Sequence, residues 1–138
     1  MTSKTLAKKI AHLTLTKKSS NVIILDLRKL TDVTDFFVIA SSDSDTQVKA
    51  IADAVADGME KLGVPIWHKE GLTQRQWVLL DYVDVVCHIF HKEARSFYGL
   101  EKLWGDANIE HVEDVSAKPA VKKRAVRKTI RKKAVKAS

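Results

Sequence analysis

The sequence predicts one α/β domain of the α+β type, in which helices flank a mixed β-sheet of about five strands. Three observations support this fold class. Helical and extended apolar patterns alternate along the first 105 residues in the order α-β-β-α-β-β-β-α. Two strand candidates are continuous apolar runs, which are typical of strands buried on both faces. A chain of 138 residues with 45% hydrophobic content can bury one core, whereas a second domain would be too small to be stable.

The first half of the chain contains two helices and two strands. Leu6, Ile10 and Leu13 recur at helical spacing and predict a helix over about residues 5–17. Strands follow at about 21–27 and 35–41. A second helix begins at residue 44 or 45 and ends at 62, because the next residue is a glycine that can adopt the left-handed conformation of a helix end. Its inward stripe consists of Val48, Ile51, Val55, Met59 and Leu62.

The second half adds three strands and a helix. A third strand is predicted at 64–68. Residues 77–80 and 85–90 form two antiparallel strands around a tight turn. The last helix spans about 92–104 and ends before Gly105.

Side-chain parity predicts which faces of the hairpin and of the last helix are buried. In the strand 85–90, odd-numbered residues share one face and even-numbered residues the other, and both sets are apolar enough to be covered. On the preceding strand Trp77 and Leu79 share a face with the solvent-reaching Asp81, so Trp77 lies near a rim. The residues of the last helix that can turn inward are Phe97, Leu100, Leu103 and Trp104.

Charge divides the chain into two parts. Ten of the 24 basic residues and none of the 17 acidic residues lie between 118 and 138. Residues 1–117 therefore contain 14 basic and 17 acidic residues. This part is mildly acidic as a whole, and the chain divides into a domain over residues 1–105 and a linker with a disordered Lys/Arg-rich tail over 106–138.

The lack of a visible targeting signal and the single cysteine lead us to expect a cytoplasmic protein. No apolar run approaches the about 18 residues of a membrane span, and no cleavable export signal is visible. The single cysteine, Cys87, lies in the apolar run VVCHIF, where a buried structural thiol is expected. The first 25 residues are Lys-rich and acid-free, which is also typical of organelle transit peptides; the apolar spacing of a core helix and the lack of arginine favour the domain interpretation.

The patterns of catalytic and metal sites are lacking. No P-loop, dinucleotide fingerprint, nucleophile elbow or Cys/His framework is present, so we expect no enzyme activity, no cofactor and no metal. Asp43 and Asp45 precede a helix, where capping and the helix dipole explain them better than metal binding. Asp81 and Asp84 flank a turn whose backbone they can bond, although an acid–base pair stays open as an alternative. We expect the histidines to be satisfied polar residues at the core edge.

One stretch closely resembles a known family. Residues 77–104, with LDLRKLTDVTDFFVIAS, QVKAIAD and HKEG upstream in the same order, resemble the ribosomal silencing factors, also called the Iojap family. The matching residues of this stretch are Trp77, Asp81, Asp84, Val85, Val86, His88, Phe90, Arg95, Phe97, Tyr98, Leu100, Glu101, Leu103 and Trp104. The resemblance covers about residues 5–105.

The resemblance implies a fold and a role. The fold is similar to that of nucleotidyltransferases, but this chain has Ser41-Ser42 in place of the Gly-Ser turn, and only Asp53, within a helix, where paired carboxylates would stand. Members of the family bind the large ribosomal subunit through its protein number fourteen and block its joining with the small subunit when nutrients run short. Association into a homodimer is also implied.

The candidate partner-binding residues combine the family signature with the surface preference for Trp, Tyr and Arg at interaction hot spots. They are Trp77, Asp81, Asp84, Arg95, Tyr98, Glu101 and Lys102.

The tail extends past the core of the resemblance, and we expect it to contact rRNA phosphates. Its candidate contact residues are Lys122, Lys123, Arg124, Arg127, Lys128, Arg131, Lys132 and Lys133. Two other functions stay open from the sequence, namely a degenerate or active nucleotidyltransferase and a general RNA-binding module of ribosome assembly.

Overall fold

The computed structural model describes residues 1–113, which form a six-stranded mixed sheet with helices on both faces. The elements are α1 Ser3–Leu15, β1 Ser20–Asp26, β2 Phe36–Ser42, α2 Asp45–Lys61, β3 His68–Glu70, β4 Trp77–Asp81, β5 Val85–His91, α3 Lys92–Tyr98, α4 Leu100–Leu103 and β6 Asn108–Val112. The predicted fold class is confirmed. Within residues 1–113, none of the helices combines the length and apolar character that a bilayer crossing needs.

The strands are arranged in the order β3-β4-β5-β2-β1-β6. Only β2 and β5 run parallel, with Phe36 opposite Val85 and Ser42 opposite His91, while the other neighbours are antiparallel. The two central strands, β2 and β5, are buried on both faces, as the continuous apolar run of β2 and the side-chain parity of β5 predict.

The first face of the sheet is covered by α1 and α2. Their apolar stripes, including Leu6 and Ile10 of α1 and Ile51 and Val55 of α2, pack on the odd-numbered residues of β5. Ser44 caps α2, since its side chain accepts from the backbone N–H of Gln47. Gly63 follows this helix at φ +76°, which confirms the predicted helix end.

The second face is covered by a much smaller element. Leu100 of α4 is the buried residue of that helix, and it packs on a cluster drawn from β1, β2 and β5. The cluster consists of Ile23, Leu25, Leu27, Ile39, Phe90 and Leu100, with Phe37, Trp77, Ala94, Trp104 and Ala107 partly buried against it. Residue parity in β5 is therefore confirmed, and the second face is only partly shielded from solvent.

The third strand lies later in the chain than predicted. Instead of residues 64–68, β3 spans His68–Glu70 and pairs with Leu79–Asp81 at the C-terminal end of β4. The N–H of Val64 bonds to the Met59 carbonyl at 3.0 Å, and Pro65 has no N–H to donate. The first bond to β4 therefore comes from the N–H of Trp67, which reaches the Asp81 carbonyl at 2.8 Å.

The last helix is broken, which corrects the prediction of one helix over 92–104. Gly99 adopts φ +60° and ψ +44°, ends α3 and redirects the chain into α4. Extrapolating one helical period across this break was wrong for Phe97 and Leu103, which are 82% and 74% exposed. Leu100 is buried, as predicted, and Trp104 is half-buried.

The sheet also contains a sixth strand that the sequence analysis placed in the linker. β6 pairs with β1 from Val112 opposite Val22 to Asn108 opposite Asp26, so the folded body continues past residue 105. Its residues are mostly exposed, and backbone hydrogen bonds hold it at the sheet edge. A strand of this kind has little apolar alternation from which it could be predicted.

Candidate functional site

A group of aromatic rings occupies the partly shielded face of the sheet. We define the aromatic patch as Phe37, Trp77, Phe97, Tyr98 and Trp104, which lie on β2, β4, α3 and the end of α4. Trp77 is central, with its ring centroid 4.7 Å from that of Tyr98 and 5.0 Å from that of the buried Phe90. Phe97 packs on Tyr98 at 5.1 Å, and Phe37 meets Trp104 at 6.0 Å.

The patch is exposed to a degree unusual for aromatic residues. Phe97 is 82% and Tyr98 51% exposed, while Phe37, Trp77 and Trp104 are half-buried. Contiguous exposed aromatic surface in a folded domain marks an interaction site more often than a chance feature. Trp and Tyr are also the side chains on which binding energy concentrates, since they bury large areas with little loss of entropy.

A buried histidine lies directly beneath Trp77. The indole Nε1–H donates to His88 Nδ1 at 3.0 Å, and the His88 side chain is only 3% exposed. Burial lowers the pKa of His88 to about 3, so the imidazole is neutral at physiological pH. The expectation of a satisfied histidine at the core edge is met at Nδ1 only, because Nε2 is buried with no hydrogen-bond partner among the described residues.

Two carboxylates stand at the turn that follows Trp77 along β4. Asp81 Oδ1 accepts from the backbone N–H of Val83 at 2.8 Å, so this aspartate bonds the turn as predicted. The carbonyl of Asp84 accepts from the N–H groups of Asp35 and Phe36, and its exposed side chain points away from the core. Val83 between them adopts φ +74°, an unfavourable value for a β-branched residue.

Arg95 on α3 and Glu101 on α4 bond to each other across the helix break at Gly99. The guanidinium donates to both carboxylate oxygens of Glu101 at 3.2 Å, and its Nη1 also bonds the Asn21 carbonyl and Ser41 Oγ. The Arg95 side chain is only 11% exposed, so these bonds tie the broken helix to β1 and β2. Its position is that of a residue that supports the surface from inside.

A cleft of about 780 Å³ separates α3 and α4 from strands β1 and β6. Its walls carry charges of both signs, with Lys92 and Glu93 on α3 and Glu101 and Lys102 on α4. This cleft brings together three of the predicted partner-binding residues, Arg95, Glu101 and Lys102. Trp77 and Tyr98 meet in the aromatic patch, and Asp81 and Asp84 lie beyond it at the end of the hairpin.

The residues considered for metal or nucleophilic chemistry are engaged in structural contacts. Asp43 forms an ion pair with Lys92 at 3.4 Å, and Asp45 occupies the first turn of α2 behind the capping Ser44. Among residues 1–113 no group of three or more His, Cys, Asp or Glu side chains is placed to hold a metal ion. Cys87 is fully buried, as predicted, and burial raises the pKa of its thiol to about 12.

Sequence reasoning missed three members of the aromatic patch, Phe37, Phe97 and Trp104, and the contact of His88 with Trp77. Phe97 was placed inside because the helix was extrapolated across Gly99, and the glycine itself was the available signal for a break. The pairing of His88 with Trp77 had no local signal, since the residues are eleven positions apart and meet only through the register of β4 and β5. The predicted tail contacts lie outside the described residues.

Comparison with known sequences identifies one group of relatives. The profile of the family described as "Ribosomal silencing factor during starvation" matches residues 1–137. The chain is 44% identical over 91 residues to ribosomal silencing factor RsfS of Bacillus subtilis, covering 66% of this chain and 77% of that protein. RsfS of Halalkalibacterium halodurans is 42% identical over 99 residues, or 72% of this chain and 85% of the relative. A plant relative, the chloroplastic protein Iojap of Zea mays, is 37% identical over 91 residues, covering 65% of this chain and 39% of that protein.

Two crystal structures share the fold over nearly their whole length. A protein from Chromobacterium violaceum superposes with a TM-score of 0.75 at 32% identity, covering 85% of this chain and 98% of that one. A protein from Bacillus halodurans gives a TM-score of 0.69 at 36% identity, with coverage of 80% and 99%.

Proposed function

This chain belongs to the ribosomal silencing factor family, and on that premise we propose that it binds the large ribosomal subunit through its protein number fourteen and blocks joining with the small subunit. The family role is the regulation of translation. The observation that supports this contact is the exposed aromatic patch on the partly shielded face of the sheet.

The patch has the make-up of a protein-docking surface. Its central ring, Trp77, is packed on Phe90 and Tyr98, so little side-chain freedom is left to lose on binding. The more exposed Phe97 and Tyr98 project beside it and offer apolar area that a partner can cover. Fixed aromatic anchors surrounded by polar groups are typical of interface hot spots.

Acidic residues at the margin suit a basic partner. Asp81 and Asp84 lie at one end of the patch and Glu101 at the other side of the helix break, while residues 1–117 carry fewer basic than acidic residues. Ribosomal proteins are exposed to RNA and are rich in Arg and Lys, so their surfaces complement such a margin. Charges of this kind favour the encounter and its orientation more than the final affinity.

The mechanism is steric and requires no bond chemistry. A folded domain that occupies the joining face of one particle excludes the other by volume. Enzyme activity is therefore not part of the proposal. We also propose that the chain acts in the cytoplasm, as expected from the sequence, whereas the Iojap relative of maize is a chloroplastic protein. We further propose that the free chain forms a homodimer.

Substitution of the aromatic patch tests the docking assignment. We expect Trp77→Ala or Tyr98→Ala in the full chain to weaken co-sedimentation with isolated large subunits by about tenfold or more, as at other hot spots. Trp67→Ala is the matched control, because Trp67 is 70% exposed and its ring lies 5.8 Å from that of His68 at the β3 edge, outside the patch. Unaltered co-sedimentation of both patch variants would refute the assignment.

A joining assay tests the mechanism. Purified large and small subunits should form fewer joined particles as the chain is titrated to saturation, with the chain recovered on free large subunits. Full yield of joined particles at saturation would overturn the steric proposal. A thermal shift with ATP and magnesium would instead point to nucleotide binding, and tight binding to naked RNA that ignores Trp77→Ala would point to a general RNA-binding module.

The basic tail, which lies outside the described residues, adds rRNA contacts in this proposal. Each neutralised phosphate contributes about −0.7 to −0.9 to the slope of log K against log salt. Removing residues 118–138 should therefore flatten the salt dependence of subunit binding. An unchanged slope would contradict the rRNA contact without affecting the docking of the patch.

A further inference from the structure

We propose that His88 is a positioning residue that engages the indole N–H of Trp77 inside the protein, so that the patch presents Trp77 to its partner as an apolar ring without a free donor. The partner site is accordingly made of apolar side chains and supplies no acceptor for this N–H. The inference rests on the proposed docking role of the patch and specifies the chemistry of the partner.

Neighbouring aromatic rings hold both the indole and the imidazole of this hydrogen bond in place. Trp77 Nε1 lies 3.0 Å from His88 Nδ1, and the indole also stacks on Phe90 at 5.0 Å. The Phe37 ring stands 4.4 Å from the imidazole at an interplanar angle of 68°. A rotation of the indole that turned its N–H outward would break both the hydrogen bond and the stacking.

The surroundings of His88 keep the imidazole neutral and in one tautomer. Its cross-strand neighbours are Leu79 on β4 and Ile39 on β2, and together with Phe37 and Phe90 they place no charged group against it. Because Nδ1 accepts from the indole, the ring proton is on Nε2. Desolvation supports this state, since it lowers the pKa of His88 to about 3.

The arrangement has a cost that packing alone does not explain. His88 Nε2 is buried with no hydrogen-bond partner among the described residues, and a buried unsatisfied N–H destabilises a fold. Leucine at this position would fill the same apolar surroundings without that cost. What histidine adds is an acceptor for the indole, and therefore a defined orientation for the central ring of the patch.

This orientation restricts what can bind. A tryptophan at an interface commonly directs its N–H to a partner acceptor, but here the only donor of the ring is already used. Trp77 is half-buried and its indole has no other donor, so its exposed part offers only ring carbon to a partner, which favours apolar side chains. A partner that relied on a carbonyl or carboxylate opposite Trp77 would leave that acceptor unsatisfied.

Four variants of the full chain test the inference by their affinity for isolated large subunits. We expect His88→Leu to weaken binding at least fivefold, because it frees the indole and leaves its N–H without an acceptor. His88→Asn, whose amide oxygen lies near the position of Nδ1, should restore binding. Trp77→Phe combined with His88→Leu removes donor and acceptor together and should bind better than Trp77→Phe alone, which leaves Nδ1 of His88 without a donor. If the partner accepts from the indole, the two variants with phenylalanine bind equally weakly, and the inference is wrong.

A spectroscopic measurement keeps the inference testable if His88→Leu fails to fold. In the unmodified chain the indole N–H of Trp77 should exchange with solvent much more slowly than that of the exposed Trp67, and its NMR resonance should move in His88→Leu but not in His88→Asn. Fast exchange would overturn the inference.

If Trp77→Ala leaves binding intact, the docking proposal fails; if Trp77→Ala weakens binding but His88→Leu does not, only the positioning role fails.

Discussion

Arg95 and Glu101 face each other across the left-handed Gly99, with Nε to Oε1 and Nη2 to Oε2 both at 3.2 Å. The pair holds together two short helices that otherwise bury little apolar area on the sheet. Of their residues only Leu100 is buried, so the orientation of Tyr98 relative to Trp77 depends on this polar contact as much as on packing. Because α3 and α4 are short, the position of the docking surface depends on this ion pair.

Replacing Arg95 by lysine should therefore destabilise the fold although the charge is kept. Lysine cannot reproduce a planar fork that bonds a carboxylate, a hydroxyl and a carbonyl at once. We expect a loss of about 2 kcal/mol in the free energy of unfolding, measured with urea. Arg28→Lys is the matched control, since Arg28 also contacts a carboxylate, Asp26, with two nitrogens, but its side chain is 50% exposed. A loss for Arg95→Lys no larger than for Arg28→Lys would contradict the supporting role.

Gly71 should be intolerant of a side chain for steric reasons. It adopts φ +84°, and a Cβ there would lie 2.0 Å from the Trp77 carbonyl oxygen, which is backbone and cannot move aside. Gly63 has a similar φ of +76° but open space around it. Gly63→Ala should cost about 1 kcal/mol of strain, and Gly71→Ala clearly more. Equal losses in thermal unfolding would show that the close approach is relieved by a backbone shift.

The free energy of unfolding should decrease as the pH falls, because His88 is buried as a neutral imidazole. An unfolded histidine takes up a proton near 6.5, whereas folded His88 does so only near 3, so the unfolded state binds more protons between these values. The free energy of unfolding should thus decrease as pH falls below about 6.5, approaching a slope of about 1.4 kcal/mol per pH unit. Urea titrations from pH 7.5 to 5 would measure it, above the range in which carboxylates titrate. His88→Leu should remove the slope and the exposed His111→Gln should keep it.

The strained turn between β4 and β5 can be relaxed. Val83 adopts φ +74°, where a β-branched side chain clashes with its own backbone. Val83→Gly should raise the free energy of unfolding by about 0.5 kcal/mol, because the relief of strain exceeds the added freedom of the unfolded chain. Val33→Gly serves as a control for loss of an exposed valine, since Val33 does not have a positive φ. A lower melting temperature for Val83→Gly would mean that the turn is not strained.

Cys87 should be inert in the folded protein. Its thiol is fully buried and burial raises its pKa to about 12, while the thiolate is the reactive form. A thiol reagent at pH 8 should label the native chain only at the rate of unfolding, and should label it rapidly in urea. Rapid stoichiometric labelling of native protein would show that β5 opens locally.

Much of the fold could be predicted from the sequence because it depends on local periodicity. The spacing of Leu6 and Ile10 in α1 and of Ile51 and Val55 in α2 predicted both helices to within about two residues at each end. The continuous apolar runs predicted the buried central strands, and alternation in β5 predicted which residues face each layer. These patterns are strong because each element buries its own side chains.

The candidate site depended on contacts that no local pattern encodes. Trp77 meets His88 through the register of two strands, and Arg95 reaches Ser41 from 54 positions away. β6 is held by backbone hydrogen bonds to β1 and carries few apolar residues, so its composition resembles a linker.

The sequence by itself determined α1, α2, the strands β1, β2, β4 and β5, and the covered first face of the sheet. Only the tertiary structure decided that Gly99 breaks the last helix, that Phe97 stays in solvent and that Trp77 directs its N–H inward. The physical reason is that hydrophobic burial acts on each element through its own periodicity, whereas directional hydrogen bonds and ring contacts form only after distant elements have been brought together.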